Sequence, residues 1–161
     1  MSAANWIALV VPLLGLVGAA VLYGFQKSID RKNQILSERR TMYREFISIA
    51  QDARVKVFME PDGAPASWFN AYKSKFGELM VTAPDEVVEA AKDFDDTIRF
   101  LPKFKKNNST ADFKVKNAEL TGKYAELVFQ MRKDSFGKTT TTRASIEASI
   151  EKMETNTETK K

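Results

Sequence analysis

The chain contains no cysteine and no histidine. Without cysteine it has no disulfide, no thiolate nucleophile and no thiolate metal site. Without histidine it lacks the commonest general base and the commonest transition-metal ligand. Ser/His/Asp and Cys/His catalytic arrangements are therefore excluded within the chain. The missing cysteines are compatible with a cytoplasmic domain. Glycine and proline are sparse, seven and five among 161 residues. No Gly-rich phosphate loop, Walker sequence or nucleophile elbow occurs. The spacing of an EF-hand and the Glu-x-x-His of a di-iron bundle are also missing. These absences predict a chain that is not an enzyme and binds no cofactor or metal.

Charge of either sign is missing from Trp6 to Phe25, and the first charged side chain is Lys27. Twenty helical residues at about 1.5 Å each span roughly 30 Å, the thickness of the hydrocarbon core of a bilayer. A helix satisfies its own backbone in lipid, so the run predicts a transmembrane helix over 6–25, which tolerates Pro12. Trp6 and Tyr23 stand near its ends, where amphipathic rings prefer the headgroups, and Phe25 closes it. Residues 1–5 form a short extracytoplasmic end. Lys27, Arg31 and Lys32 follow the run, within reach of anionic lipid headgroups. The positive-inside rule then places the N-terminus outside and the rest of the chain in the cytoplasm. Gly18-Ala19-Ala20 offers the small residues of a signal cleavage site, but no Lys or Arg precedes the run, so an uncleaved anchor is expected. Gly15 and Ala19, and likewise Ala20 and Gly24, are four apart. This small-xxx-small spacing allows close helix–helix contact and self-association.

Beyond the run, 43% hydrophobic and 11% aromatic residues argue for a folded domain. Charge is distributed in blocks: eight basic and five acidic side chains over 26–60, four and eight over 61–101, eight and four over 102–137, and five and four over 138–161. Alternating blocks suit helices that attract one another.

The helical pattern continues from Lys27 to Pro61. Ile29, Leu36, Tyr43, Ala50 and Val57 recur every seven residues. Phe46 and Ala53 fill the later second seam positions, and Lys32 and Arg39 the earlier ones. The seam is thus polar near the membrane and apolar beyond Tyr43, a short coiled-coil-like stretch or a plain amphipathic helix. Pro61 to Pro65 reads as a turn. Ser67 caps a second helix that buries Phe69, Tyr72, Phe76, Leu79 and Met80. Thr82 has capping-box spacing to Asp85. Val87, Ala91, Phe94, Ile98 and Leu101 form the stripe of a third helix, which Pro102 is expected to end, leaving Lys103–Ser109 as a basic loop. A fourth helix over about 111–134 turns Leu120, Tyr124, Leu127, Val128 and Met131 inward, with Gly137 at its C-terminal cap. The expected fold is all-α: one transmembrane helix continuing into an antiparallel up-down bundle of about four helices over 26–137, followed by a polar, mostly disordered tail over 138–161. Ile146, Ile150 and Met153 could line one side of a short helix in that tail.

Two clusters invite a chemical reading. Glu86, Glu89, Asp93 and Asp96 share a helix face beside Asp95, and a hard cation uses such oxygens. A solvated face or a partner surface explains them as well. Lys103, Phe104, Lys105 and Lys106 have the composition of a nucleic-acid patch, but no nucleic-acid motif accompanies them, so no nucleic acid is expected. No small-molecule substrate is evident.

The segments RRTMYREF, LMVTAPDEVVEAAKDF and ELVFQMRKDSFG, placed after a membrane helix, resemble a group of uncharacterised bacterial single-pass membrane proteins with a helical cytoplasmic domain. The likeness covers most of 1–137. It implies a bacterial inner-membrane location and a helical domain, and it carries over no site. The expected function is a membrane-anchored interaction or scaffold protein that docks a protein partner, or another copy of itself, at the cytoplasmic membrane face. The alternatives are a small accessory subunit of a larger membrane complex and a carboxylate- or cation-dependent enzyme.

Overall fold

The structure is a computed structural model. It describes the backbone of residues 3–59, 67–107, 110–137 and 140–158, and the side chains of 13–56, 69–99, 112, 114–137 and 140–152. The described residues form five helices and no strand: α1 (Ala3–Met59), α2 (Ser67–Thr82), α3 (Asp85–Asn107), α4 (Thr110–Phe136) and α5 (Arg143–Glu158). The fold is all-α. Two compact units divide the chain at Met1–Glu38 and Arg39–Lys161. The first is the N-terminal part of α1.

Within the second unit, side-chain pairing gives the directions of the helices. Glu45 of α1 meets Lys75 of α2, while Thr82 at the end of α2 lies by Met42. Numbers rise on one helix as they fall on the other, so the two are antiparallel. The same holds for α1 and α4, where Tyr43 reaches Asp134 and Arg54 reaches Thr121. Lys123 of α4 pairs with Asp93 of α3. These pairings place α1 beside α2 and α4, and α3 beside α4. Ring packing of Tyr72 on Phe94 joins α2 to α3.

The core follows the apolar stripes. Tyr43, Phe46, Ala50 and Ala53 are buried from α1, Tyr72 and Leu79 from α2, Val87, Ala91, Phe94 and Ile98 from α3, and Leu120, Tyr124, Leu127 and Met131 from α4. Phe69, Phe76, Met80 and Val128 are half-buried. Aromatic rings connect the four helices: Phe46 to Tyr72 at 5.8 Å, Tyr72 to Phe94 at 6.4 Å and Phe94 to Tyr124 at 5.6 Å between centroids. These separations suit tilted and edge-on ring contacts. Of the heptad positions, Ile29 is exposed and Leu36 half-exposed. Val57, Leu101, Trp68, Ser67 and the 61–65 turn fall outside the described side chains.

Four expectations are corrected. Pro102 does not end α3, which runs on to Asn107. Proline there leaves the Ile98 carbonyl without its helical donor, but one missing bond does not outweigh the helix-favouring lysines that follow. Lys103, Lys105 and Lys106 therefore stand on the last turns of α3 rather than in a loop. Thr82 is the last residue of α2 and caps nothing: its hydroxyl donates to the Glu78 carbonyl at 2.8 Å. The first bonds of α3 go from Val87 and Val88 to the Pro84 carbonyl, each 3.0 Å. Finally, the tail is not mostly disordered. Residues 143–158 form α5, and Ile150 is buried with Ile146 packed against the core. Met153, 138–139 and 159–161 lie outside the described side chains. Gly137 does close α4, with a left-handed φ of 67° and its N–H on the Lys133 carbonyl at 2.8 Å.

Candidate functional site

Among the described residues, the N-terminal unit exposes a long run of apolar side chains. Leu13, Leu14, Leu16 and Val17 are between 57% and 73% exposed, and Val21, Leu22, Tyr23, Phe25 and Ile29 are at least half exposed. Successive helical residues turn by about 100°, so these side chains cover every face of α1 rather than one stripe. Gly15, Ala19, Ala20 and Gly24 are exposed as well, and a Cβ at Gly15 or Gly24 would meet nothing within 4 Å. Lys27, Arg31 and Lys32 follow, also exposed. The side chains of Trp6 and Pro12 lie outside the described residues. Among the described residues no helix is long and apolar enough to cross a membrane. Described side chains begin at Leu13, so only 13–25 of the 6–25 run is among them.

At the end of the bundle where α1 enters, a polar node joins two helices. The Tyr43 hydroxyl donates to Asp134 Oδ2 at 2.7 Å, and Arg39 Nη1 approaches Asp134 Oδ1 at 3.4 Å. Arg40 Nη2 donates to the Ser135 carbonyl at 2.7 Å, closing the negative end of α4, and its guanidinium lies 4.9 Å from the Phe136 ring. Burial, then the Asp134 carboxylate, pushes the Tyr43 pKa well above its ordinary value. The sequence gives Arg39 and Arg40 as part of a basic run. The polar seam position of Arg39 was the signal that it needs an acidic partner.

Deeper in the bundle, Arg54 is 1% exposed, donates to Thr121 Oγ1 at 3.1 Å and lies 5.2 Å from the Tyr124 ring. Burial pushes Tyr124 up to about 12. Tyr72 is raised by burial and by the Asp95 carboxylate beside it. The sequence pattern did not single out Arg54, because a lone arginine on an α-helix normally faces water.

The acidic face of α3 is divided among partners. Asp93 receives Lys123 at 2.6 Å, and buried Asp95 receives Arg99 at 2.7 Å. Glu86, Glu89 and Asp96 are exposed. Among the described residues no three carboxylates gather to hold a metal ion. A cleft of about 260 Å³ lies between α3 and α4, lined by Glu86, Val87, Lys133 and Asp134. An open groove of about 690 Å³ lies between α1 and α2, beside Arg44, Ile49 and Lys75. Thr41, Glu45 and Ser48 complete the lining of that groove. On the outer side of α4, Gly122 and Glu126 carry α5, with Arg143 Nε 3.5 Å from Glu126 Oε2.

No family model, curated protein or solved structure matches the chain.

Proposed function

We propose that the chain is a membrane-anchored helical interaction protein. Residues 6–25 span the bilayer with the N-terminus outside, and the bundle docks a protein partner at the cytoplasmic face. One observation carries this reading: apolar side chains are exposed on all sides of α1 from Leu13 to Phe25. A partner protein would cover one face of such a helix, whereas lipid covers all of them. The hydrocarbon asks for no polar groups that a helix cannot satisfy itself. The basic flank at Lys27, Arg31 and Lys32 supplies the orientation. The likeness to bacterial single-pass proteins suits the same location.

Alkaline extraction of membranes followed by crosslinking tests both halves. The chain stays with the lipid, and the bundle yields crosslinks to a different protein. Release into the soluble fraction contradicts the anchor, and recovery of the chain alone contradicts the docking.

A second reading is a small accessory subunit whose span packs against other membrane helices. The open surfaces at Gly15, Ala19, Ala20 and Gly24 favour it. On mild-detergent native gels this reading requires a complex larger than a dimer. An enzyme has less support, because Asp93 and Asp95 are held by Lys123 and Arg99.

A further inference from the structure

Helix α5 is short and its end signals are mixed: Thr142 caps it, with Oγ1 accepting from the Ser145 N–H at 3.2 Å. Arg143 opens it, where the helix dipole disfavours a cation, and no basic residue stands in its last turn. The Ser149 hydroxyl turns back to the Ser145 carbonyl at 2.8 Å, a local bond that competes with the helix. Among its described side chains, Ile146 and Ile150 are the ones that pack on the core. A helix of 16 residues is marginal in water on its own, even with one cap. Contacts with α4 supply what it lacks. Glu126 Oε2 lies 3.5 Å from Arg143 Nε and compensates the misplaced charge. Arg132 Nη2 donates to Thr141 Oγ1 at 3.3 Å, just ahead of the helix. Two side-chain ends of α5 lie over Gly122: a Cβ there would meet Arg143 Nη2 at 3.3 Å and Glu147 Oε1 at 3.4 Å. Glycine within a helix is normally a cost, and here it leaves room for the ends of the Arg143 and Glu147 side chains. Gly122, Glu126 and half-buried Phe129 lie along one face of α4.

We propose that this face of α4 is a helix-docking groove, occupied reversibly by α5 as an intramolecular competitor. The partner it fits is an amphipathic helix with the α5 pattern: a basic residue opposite Glu126, then aliphatic anchors three and seven residues later, as Arg143, Ile146 and Ile150 are spaced. The seated α5 is the template for that partner, and Glu126 supplies the charge complementarity. The proposal rests on the interaction reading and names its surface and partner class. Partner binding then requires α5 to leave, which weakens apparent affinity by the fraction of time the groove is closed.

The test titrates the full chain, in detergent micelles, with a labelled synthetic peptide of residues 140–158. Ile150→Asp places a charge in an apolar contact and releases α5, so the peptide binds this chain about tenfold or more tightly than wild type. Gly122→Leu fills the space of the Arg143 and Glu147 side-chain ends and abolishes peptide binding to either background. Equal affinity for wild type and Ile150→Asp, or binding that survives Gly122→Leu, overturns the proposal. Hydrogen exchange on the same samples is the second readout. In wild type, α5 amides exchange roughly a hundredfold faster than those of α3 and α4, as a separately opening segment does. In Ile150→Asp the protection of α3 and α4 is unchanged. If α5 exchanges only with global unfolding, or if Ile150→Asp strips protection from α3 and α4, then α5 is an integral part of the core and the proposal fails. None of these readouts needs 6–25 to lie in lipid, so failure of the groove and failure of the anchor are distinguishable.

Discussion

Among the described residues, burial ties the protonation of Tyr43, Tyr72 and Tyr124 to folding. Burial raises all three, Tyr124 to about 12, and carboxylates at Asp134 and Asp95 add to the first two. A phenol whose folded pKa lies above its unfolded value near 10 stabilises the fold fully below that value. That contribution is lost as pH rises through the folded pKa. Denaturant titrations from pH 7 to 12 should therefore show a plateau up to about 10 and a falling stability above it. A flat profile to pH 12 would contradict the burial of these hydroxyls. Tyr43→Phe removes the 2.7 Å bond to Asp134 while keeping the ring. It should cost about 1–3 kcal/mol in urea unfolding, because a carboxylate loses a donor. Phe94→Ala, at the centre of the aromatic cluster, should cost about 3–5 kcal/mol by the same measurement.

Among the elements, α3 and α5 depart most from what their sequences suggest. Proline withdraws a donor and crowds the preceding turn, so Pro102 is expected to stop α3. The helix nevertheless continues to Asn107. Pro102→Ala restores that donor and should raise stability by about 1–3 kcal/mol, with added helical signal in circular dichroism. No change would mean that α3 ends near Leu101. The stripes of α1 to α4 were readable because Tyr43, Phe46 and Ala50, or Val87, Ala91, Phe94 and Ile98, recur at helical spacing and all face one core. Helix α5 was only partly readable: Ile146 and Ile150 suggest one side of a short helix, but its partner Glu126 on α4 is more than fifteen residues away in sequence. Pattern reading sees local periodicity, and two isoleucines among serine, threonine and glutamate give little of it. The Arg39–Asp134–Tyr43 node was half visible: a basic residue at a seam position needs a partner, but nothing local names Asp134. Arg54 was invisible for the same reason.

At the scale of the whole molecule, the composition excludes more chemistry than it supplies. Cysteine and histidine are missing, and Lys123 and Arg99 hold Asp93 and Asp95. The proposed function turns on where the chain sits. Replacing Lys27, Arg31 and Lys32 together by Gln removes the charge bias across the 6–25 run. Protease protection in membrane vesicles should then change from a single orientation to a mixture, while the helical content of the bundle stays the same. The cysteine-free sequence also allows single thiol probes without background. The most direct test introduces Ser2→Cys, Leu16→Cys and Lys152→Cys one at a time and applies a membrane-impermeant maleimide to intact cells and to inverted membrane vesicles. The account predicts that Ser2→Cys labels only in intact cells, Lys152→Cys only in inverted vesicles, and Leu16→Cys in neither. Labelling of Leu16→Cys from either side, or of Ser2→Cys and Lys152→Cys from the same side, would contradict it.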